Sequence, residues 1–172
     1  KDVDGFNELN MGKLALAGYK PNFIPCTPRG VWHMSKYLKI DVRGKHVVIL
    51  GKSNTVGLPM AMLMMKKEAT VSVCNADTPE QLEINIVKHA DIVISAVGKA
   101  HLVKAEWIKD GAIVIDIGIN SIPFNNKAGY KLVGDVDFED VYEKVSAITP
   151  VPGGVGPMTV AMLIYNTLLS YE

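Results

Sequence analysis

The stretch His46–Met64, HVVILGKSNTVGLPMAMLM, constrains the fold of this chain more than any other. An apolar run, Val47–Leu50, stops at Gly51, and after a polar turn apolar residues recur at helical spacing. A strand, a glycine turn and a helix in this order present a helix N-terminus to a phosphate in doubly wound sheets. Ordinary strand–turn–helix connections show the same order, so this stretch alone leaves both interpretations open.

Two glycines and a proline set the geometry expected for this turn. Gly51 predicts a tight turn with close backbone approach, because it has no Cβ, and Gly57 predicts a helix packed near the strand. Pro59 suits the first helical turn, where its missing N–H costs nothing. The spacing G-x-S-x-x-x-G differs from the usual G-x-G-x-x-G by a serine and an extra residue, so other segments have to support the interpretation.

Short β-rich or apolar segments alternate with helical patterns along the rest of the chain. Strands are predicted at Thr70–Cys74, Asp91–Val97, Ala112–Ile117 and Tyr130–Val136. Helices are predicted at Pro79–His89, Phe138–Val145 and Val160–Tyr171, with another ending near Lys39. This alternation predicts an α/β fold, a Rossmann-type doubly wound and mainly parallel sheet with helices on both faces.

Proline and glycine mark segments that we expect to be irregular. Phe23–Pro28 is predicted to be extended, since each proline pushes its predecessor out of the helical region. Thr27, followed by Pro28, predicts the start of the helix that ends near Lys39. Ile148–Thr159 holds three prolines and three glycines, which predicts a loop throughout and a binding surface or rigid turn. Ser121–Gly129 is predicted to be a polar loop.

Composition narrows the class of protein. The 172 residues are 48% hydrophobic and 21% charged, enough for one ordinary domain with a core. Lys+Arg and Asp+Glu both number 18, so no basic excess favours nucleic acid or an anionic membrane, and no apolar run has the length of a membrane span. Two cysteines and four scattered histidines predict a reducing compartment and no metal site, which favours the cytoplasm and leaves an organelle open.

The chain opens at Lys1 on KDVDGF, which has the character of an internal segment, so we expect a piece of a longer protein. From residue type alone, Asp2 and Asp4 are typical of solvated turns.

Four separated segments together resemble one family. They are KDVDGF at the start, PCTPRG at Pro25–Gly30, GKSNTVGLPMA at Gly51–Ala61, and GDVDF with ITPVPGGVGPMT between Gly134 and Thr159. The chain resembles the bifunctional methylenetetrahydrofolate dehydrogenase/methenyltetrahydrofolate cyclohydrolase family along essentially all of its length. The resemblance implies the C-terminal cofactor-binding part, with most of the N-terminal catalytic domain missing.

The resemblance implies oxidation of 5,10-methylenetetrahydrofolate to the methenyl form and hydrolysis to 10-formyltetrahydrofolate, in a complete enzyme that is a homodimer. It divides the chain into a remnant of the folate domain (1–40), a Rossmann domain (41–147), and a folate and cofactor loop with a closing helix (148–172). The family's lysine and tyrosine at Y-x-x-x-K spacing have no match here, so we expect no cyclohydrolase activity from these residues alone. A dinucleotide-binding module without turnover is the alternative.

The resemblance also assigns site residues. The cofactor-binding positions are Gly51, Lys52, Ser53, Ala76, Ile119 and Thr159. The folate-binding positions are Asp4, Pro152, Gly153 and Gly154, with Asp4 as the folate-contacting catalytic residue.

Two departures from the family pattern bear on the choice of cofactor. Lys52 stands where arginine is common, and Ala76 where serine or arginine often follows the second strand, with Asp77 beside it. Lysine offers a 2′-phosphate only a point charge, whereas an acid at that strand end typically binds the free ribose of NAD. The family as a whole favours NADP, and NAD stays open.

Overall fold

The computed structural model describes residues 2–171 and contains a five-stranded parallel sheet with strand order β2-β1-β3-β4-β7. Its strands are β1 (His46–Leu50), β2 (Thr70–Cys74), β3 (Ile92–Ser95), β4 (Ile113–Asp116) and β7 (Ala147–Ile148). A separate antiparallel pair joins β5 (Asn120–Pro123) to β6 (Tyr130–Val133).

Six α-helices accompany these strands within the described residues. They are α1 (Glu8–Ala15), α2 (Cys26–Tyr37), α3 (Gly57–Lys66), α4 (Glu80–Val87), α5 (Phe138–Val141) and α6 (Val155–Leu169). Two single 3-10 turns lie at Ala105–Trp107 and Tyr142–Lys144.

Side chains of β1 alternate between two cores, one on each face of the sheet. Val47 and Ile49 pack with buried residues of α2, α3 and α6, whereas Val48 and Leu50 pack with α4, α5 and the 3-10 turn at Ala105–Trp107. Strands buried on both faces are typical of parallel sheets covered by helices. The predicted Rossmann-type doubly wound fold is confirmed.

The pairing register aligns the carboxyl ends of the central strands. Leu50 pairs with Cys74 on one side and with Ser95 on the other, and Ser95 pairs with Asp116. The turns that leave β1, β2, β3 and β4 therefore open at one edge of the sheet, where ligands of such folds bind.

Helix starts are where the prediction from sequence was wrong. Ile148–Thr159 is not irregular throughout, because α6 already begins at Val155. α2 begins at Cys26, which lies one residue before the predicted helix start at Thr27 and inside the stretch predicted to be extended. The first four N–H groups of a helix have no intrahelical acceptor, so proline is tolerated there. The prolines concerned are the third residues of α2, α3 and α6: Pro28, Pro59 and Pro157.

The region after β4 also differs from the prediction. β6 ends at Val133, three residues before the predicted end, and β5 lies partly within the predicted polar loop Ser121–Gly129. β5 exists because its backbone pairs with β6, and its exposed polar residues gave no strand pattern. The helix predicted at Phe138–Val145 is α5 followed by a 3-10 turn.

The N-terminal segment is attached to the sheet domain through α3. The Lys66 ammonium donates to the carbonyl oxygens of Lys13, Leu14 and Leu16 at the end of α1, at 2.8–3.4 Å. Among residues 2–171, no helix combines the length and hydropathy needed to cross a membrane. The same residues contain no group of three or more His, Cys, Asp or Glu side chains placed to hold a metal ion.

Candidate functional site

A cleft of about 550 Å³ lies at the carboxyl edge of the sheet, between the turns that leave β1, β2 and β3. Its volume is within the range of small-molecule and cofactor sites. The lining residues are Gly51, Lys52, Ser53, Asn75, Ala76, Thr78, Glu80, Glu83, Ala96, Val97, Lys99, Leu102 and Trp107. Four of the six predicted cofactor positions therefore meet in one cleft.

The wall formed by the turn after β1 has no room for side chains at two glycines. At Gly51, where φ is +105°, a Cβ would collide with the carbonyl oxygen of Ala96. At Gly57 a Cβ would collide with the carbonyl oxygen of Gly51. The first turn of α3 consequently packs directly against the strand exit, and the turn presents bare backbone to a ligand.

Ser53 organises the start of α3. Its hydroxyl oxygen accepts hydrogen bonds from the backbone N–H groups of Val56 and Gly57, at 3.2 and 3.3 Å. A hydroxyl has one proton to donate besides its two acceptor positions. The Ser53 O–H proton is thus available to a phosphate oxygen in the cleft, at a helix N-terminus that favours anions.

The turn after β2 is held by Asn75 and Thr78. The Thr78 hydroxyl accepts from the backbone N–H of Asn75 at 3.0 Å, and the Asn75 side chain accepts from the backbone N–H of Asp77 at 3.1 Å. Ala76 lines the cleft. Asp77 is exposed and is not among the described residues that line it. Asp77 therefore affects this end of the cleft as a nearby charge.

Charges of both signs line the cleft. Lys52 and Lys99 are exposed at its rim, and Glu80 and Glu83 lie on α4. Burial raises the pKa of Glu83; the charge of Lys99 opposes that rise, and the charge of Glu80 adds to it. The two lysines can thus pair with phosphate groups of a ligand, whereas the α4 side of the cleft presents the carboxyl groups of Glu80 and Glu83.

Two buried carboxylates lie beneath the turns after β3 and β4. Asp116 is 3% exposed and accepts from the backbone N–H groups of Gly118, Asp135 and Val136 at 2.8–3.1 Å. Burial raises the pKa of Asp116 to about 6 despite these donors, and the charge of Asp135 adds to the rise. The sequence analysis assigned neither Asp116 nor Asp135 to the site. For Asp116 there was a usable signal, because an aspartate ends the apolar run of β4.

The other two predicted cofactor positions lie outside the cleft lining. Ile119 is 63% exposed and approaches Gly156 in the first turn of α6. The Thr159 hydroxyl lies 3.1 Å from the Thr27 hydroxyl and 3.2 Å from the carbonyl oxygen of Val155. Both positions are thus near the first half of α6, next to the loop that precedes it.

The predicted folate positions fall in two places. Pro152 and Gly153 are exposed and Gly154 is half-buried in the loop before α6. Asp4 is exposed, and its carboxylate lies 3.8 Å from the thiol of Cys26, whose pKa is raised by burial and by the charge of Asp4.

Asn166 connects the segment around Asp4 to α6. Its buried amide donates to the carbonyl oxygens of Val3 and Ile24 at 2.9 and 3.0 Å. Asp4 is therefore fixed relative to the same helix that the loop at 152–154 precedes.

The parallel sheet and the glycine-walled cleft define a dinucleotide-binding domain of the Rossmann class. Residues 25–172 match the family described as tetrahydrofolate dehydrogenase/cyclohydrolase, NAD(P)-binding domain. The chain belongs to this family, as the resemblance of its four segments predicted.

Relatives and solved structures agree with this assignment. The chain is 52% identical to the bifunctional protein FolD of Chloroherpeton thalassium, covering all of this chain and 60% of the relative. It is 50% identical to the chloroplastic bifunctional protein FolD 4 of Arabidopsis thaliana, over 99% of this chain and 47% of the relative.

The solved methylenetetrahydrofolate dehydrogenase-cyclohydrolase of Trypanosoma brucei, complexed with NADP cofactor and inhibitor, superposes with a TM-score of 0.94 at 42% identity. The superposition covers 99% of this chain and 58% of the Trypanosoma brucei chain. This chain spans roughly half of the length of these three proteins.

Proposed function

We propose that the cleft binds NADP for the oxidation of 5,10-methylenetetrahydrofolate to 5,10-methenyltetrahydrofolate, which the complete protein then hydrolyses to 10-formyltetrahydrofolate in one-carbon metabolism. The observation that carries the proposal is the close contact between Gly57 and Gly51 under a cleft that Ser53 and Lys52 border. It is the arrangement needed for backbone and helix N-terminus to meet a pyrophosphate.

Each cofactor residue has a chemical task in this proposal. Gly51 gives the pyrophosphate access to the backbone, Ser53 donates its O–H proton to a phosphate oxygen, and the Lys52 ammonium pairs with the 2′-phosphate. Ala76 offers that phosphate no donor, because its side chain is a methyl group. When bound, the nicotinamide ring supplies the acceptor for the hydride that leaves the one-carbon bridge of the folate.

The folate side is assigned by the same resemblance. Asp4 contacts the folate, the loop at Pro152, Gly153 and Gly154 borders it, and Ile119 and Thr159 meet the nicotinamide half. The proximity of Ile119 to the first turn of α6, directly after this loop, supports grouping them around one reaction centre.

The wider context of the protein is also proposed from the family. Residues 1–40 form the end of the folate domain, 41–147 the Rossmann domain, and 148–172 the loop and closing helix. The complete protein is proposed to be a homodimer in the cytoplasm. Sedimentation of the complete protein checks its dimeric state.

Titration of both cofactors into the chain and its variants tests the proposal. Lys52→Ala should weaken NADP binding by about 1–3 kcal/mol, the usual range for a charge-assisted contact, and leave NAD binding nearly unchanged. Asp77→Ser should favour NADP further, because it removes a negative charge near the 2′-phosphate. Lys88→Ala, an exposed lysine outside the cleft lining, is the matched control and should change neither affinity.

Three outcomes contradict parts of this proposal. Equal weakening of NAD and NADP by Lys52→Ala would mean that Lys52 holds the pyrophosphate turn. Tighter binding of NAD than of NADP by the unmodified chain would make NAD the cofactor. Binding of neither dinucleotide would refute the assignment of the cleft.

A further inference from the structure

One wall of the cleft is apolar and comes from the chain that follows β3. This apolar wall consists of Val97, Leu102 and Trp107, of which the first two are half-buried and Trp107 is buried. The 3-10 turn that contains Trp107 contacts α4, so the apolar wall lies beside that helix. A flat ring system fits such a wall, because binding removes apolar surface of ligand and protein from water.

Glu83 brings a carboxyl group into the cleft from the first turn of α4, where it is half-buried. Burial raises the pKa of the Cys74 thiol at the end of β2, and the charge of Glu83 adds to that rise. Burial also raises the pKa of Glu83, and the charge of Lys99, in the turn after β3, opposes that rise. Glu83 therefore lies between the end of β2 and the turn after β3, next to the apolar wall. Within residues 2–171 it accepts no hydrogen bond that shifts its pKa, so its oxygens are available to a donor on a ligand.

The position of the glycine turn determines which part of a dinucleotide reaches Glu83. In doubly wound sheets the pyrophosphate lies at the first turn and the adenosine ribose at the end of the second strand. Gly51 borders the first turn here, and Ala76 follows β2. Ile119 and Thr159, proposed for the nicotinamide half, are not among the described residues that line this cleft. The cleft therefore holds the adenosine half, and the base extends past the ribose to the apolar wall.

The chemistry of the base then matches the chemistry of this end of the cleft. Adenine carries an amino group at C6, which donates hydrogen bonds, whereas guanine carries at that position a carbonyl oxygen, which accepts them. We infer that Glu83 is a specificity-determining residue, which selects adenine by accepting a hydrogen bond from its 6-amino group while the apolar wall packs against the ring. This inference rests on the proposed function of the cleft and names the group of the ligand that Glu83 contacts.

The hypoxanthine analogue of NADP tests the inference, because it places a carbonyl oxygen where adenine has its 6-amino group. In calorimetric titrations the unmodified chain should bind NADP about tenfold more tightly than the analogue, since two acceptor oxygens would face each other. In Glu83→Gln this ratio should fall to about one, because an amide can turn its oxygen to an amino group or its N–H₂ to a carbonyl. The same ratios are expected for NAD and its hypoxanthine analogue, because Glu83 contacts the base and not the 2′-phosphate.

Glu80→Gln is the matched control. It removes the same charge from the first turn of α4, at an exposed side chain that also lines the cleft. Loss of a negative charge near the phosphates should strengthen the binding of NADP and its analogue equally, so the ratio should stay at about ten. Glutamate and glutamine have similar shapes and helix propensities, so both variants should keep the fold, which thermal unfolding checks.

Three results would overturn the inference. Equal affinity of the unmodified chain for NADP and its hypoxanthine analogue would refute it and leave the proposed function of the cleft intact. Weaker binding of both ligands by Glu83→Gln, with the ratio still at about ten, would place the contact of Glu83 away from the base. If the unmodified chain bound neither NAD nor NADP, the proposed function would fail and this inference with it.

Discussion

The carboxyl edge of the sheet and the outer face of α6 differ in how their side chains are partnered. At the edge, Asp116 and Asp135 are at most 3% exposed, and their carboxylates accept several hydrogen bonds. On α6, Val160, Ile164 and Leu168 are 59%, 67% and 65% exposed at helical spacing. The comparison shows that buried hydrogen bonds hold the carboxyl edge of the sheet in place, whereas the apolar side chains on the outer face of α6 add little to the stability of the fold.

Substitution of two glycines by alanine should separate tightly packed from loosely packed regions most clearly. Gly57→Ala should lower the free energy of unfolding by about 3 kcal/mol, because the added Cβ meets the backbone of Gly51. Gly12→Ala in α1 meets nothing within 4 Å and should raise it by up to about 1 kcal/mol through helix propensity. Denaturant unfolding checks both, and similar effects would contradict the tight packing of Gly57 against Gly51.

The buried edge should also show a pH dependence that the α6 face lacks. Asp116 has a folded pKa of about 6 against an ordinary value of 3.8, so its contribution to stability is fully present below pH 3.8 and lost as pH rises to about 6. The loss amounts to about 3 kcal/mol, from roughly 1.4 kcal/mol per pKa unit.

Unfolding of the unmodified chain and of Asp116→Asn, measured from pH 4 to 7, checks this expectation. The unmodified chain should lose stability relative to the variant as pH rises, since asparagine does not ionise. A constant difference between the two proteins would show that Asp116 is not the source of the dependence.

The smallest effects are expected at the two ends of the chain. Leu168→Lys should change the free energy of unfolding by less than about 0.5 kcal/mol, because the side chain is already largely exposed. Amide exchange should show lower protection in residues 2–40 and 160–171 than in β1 and β3. Uniform protection in monomeric chain would contradict the difference between the two regions.

The strand–turn–helix unit from β1 to α3 could be predicted from sequence because its signals are local. The run Val47–Leu50 stops at Gly51, and Pro59 marks the first turn of the helix, and the structure has each element there. Apolar runs likewise predicted β2, β3 and β4 and hence the fold class. Four of the cofactor positions predicted from the family resemblance line one cleft.

The start of α6 shows where the local pattern misled. Prolines and glycines in 148–159 predicted a loop, yet Pro157 occupies the first turn of a helix whose early N–H groups need no intrahelical acceptor. The helix begins at Val155 because that residue is buried in the core shared by α2 and α3. Composition cannot report such packing.

The sequence by itself determined the order of strands and helices, the glycine turn after β1 and the family. Only the tertiary structure decided which residues line the cleft and which hold it in place. Asp135 accepts from the Val97 backbone N–H, 38 residues earlier in the chain, and no local pattern encodes that pair. The physical reason is that a buried carboxylate needs donors, and folding brings them from whichever segments end at the same edge of the sheet.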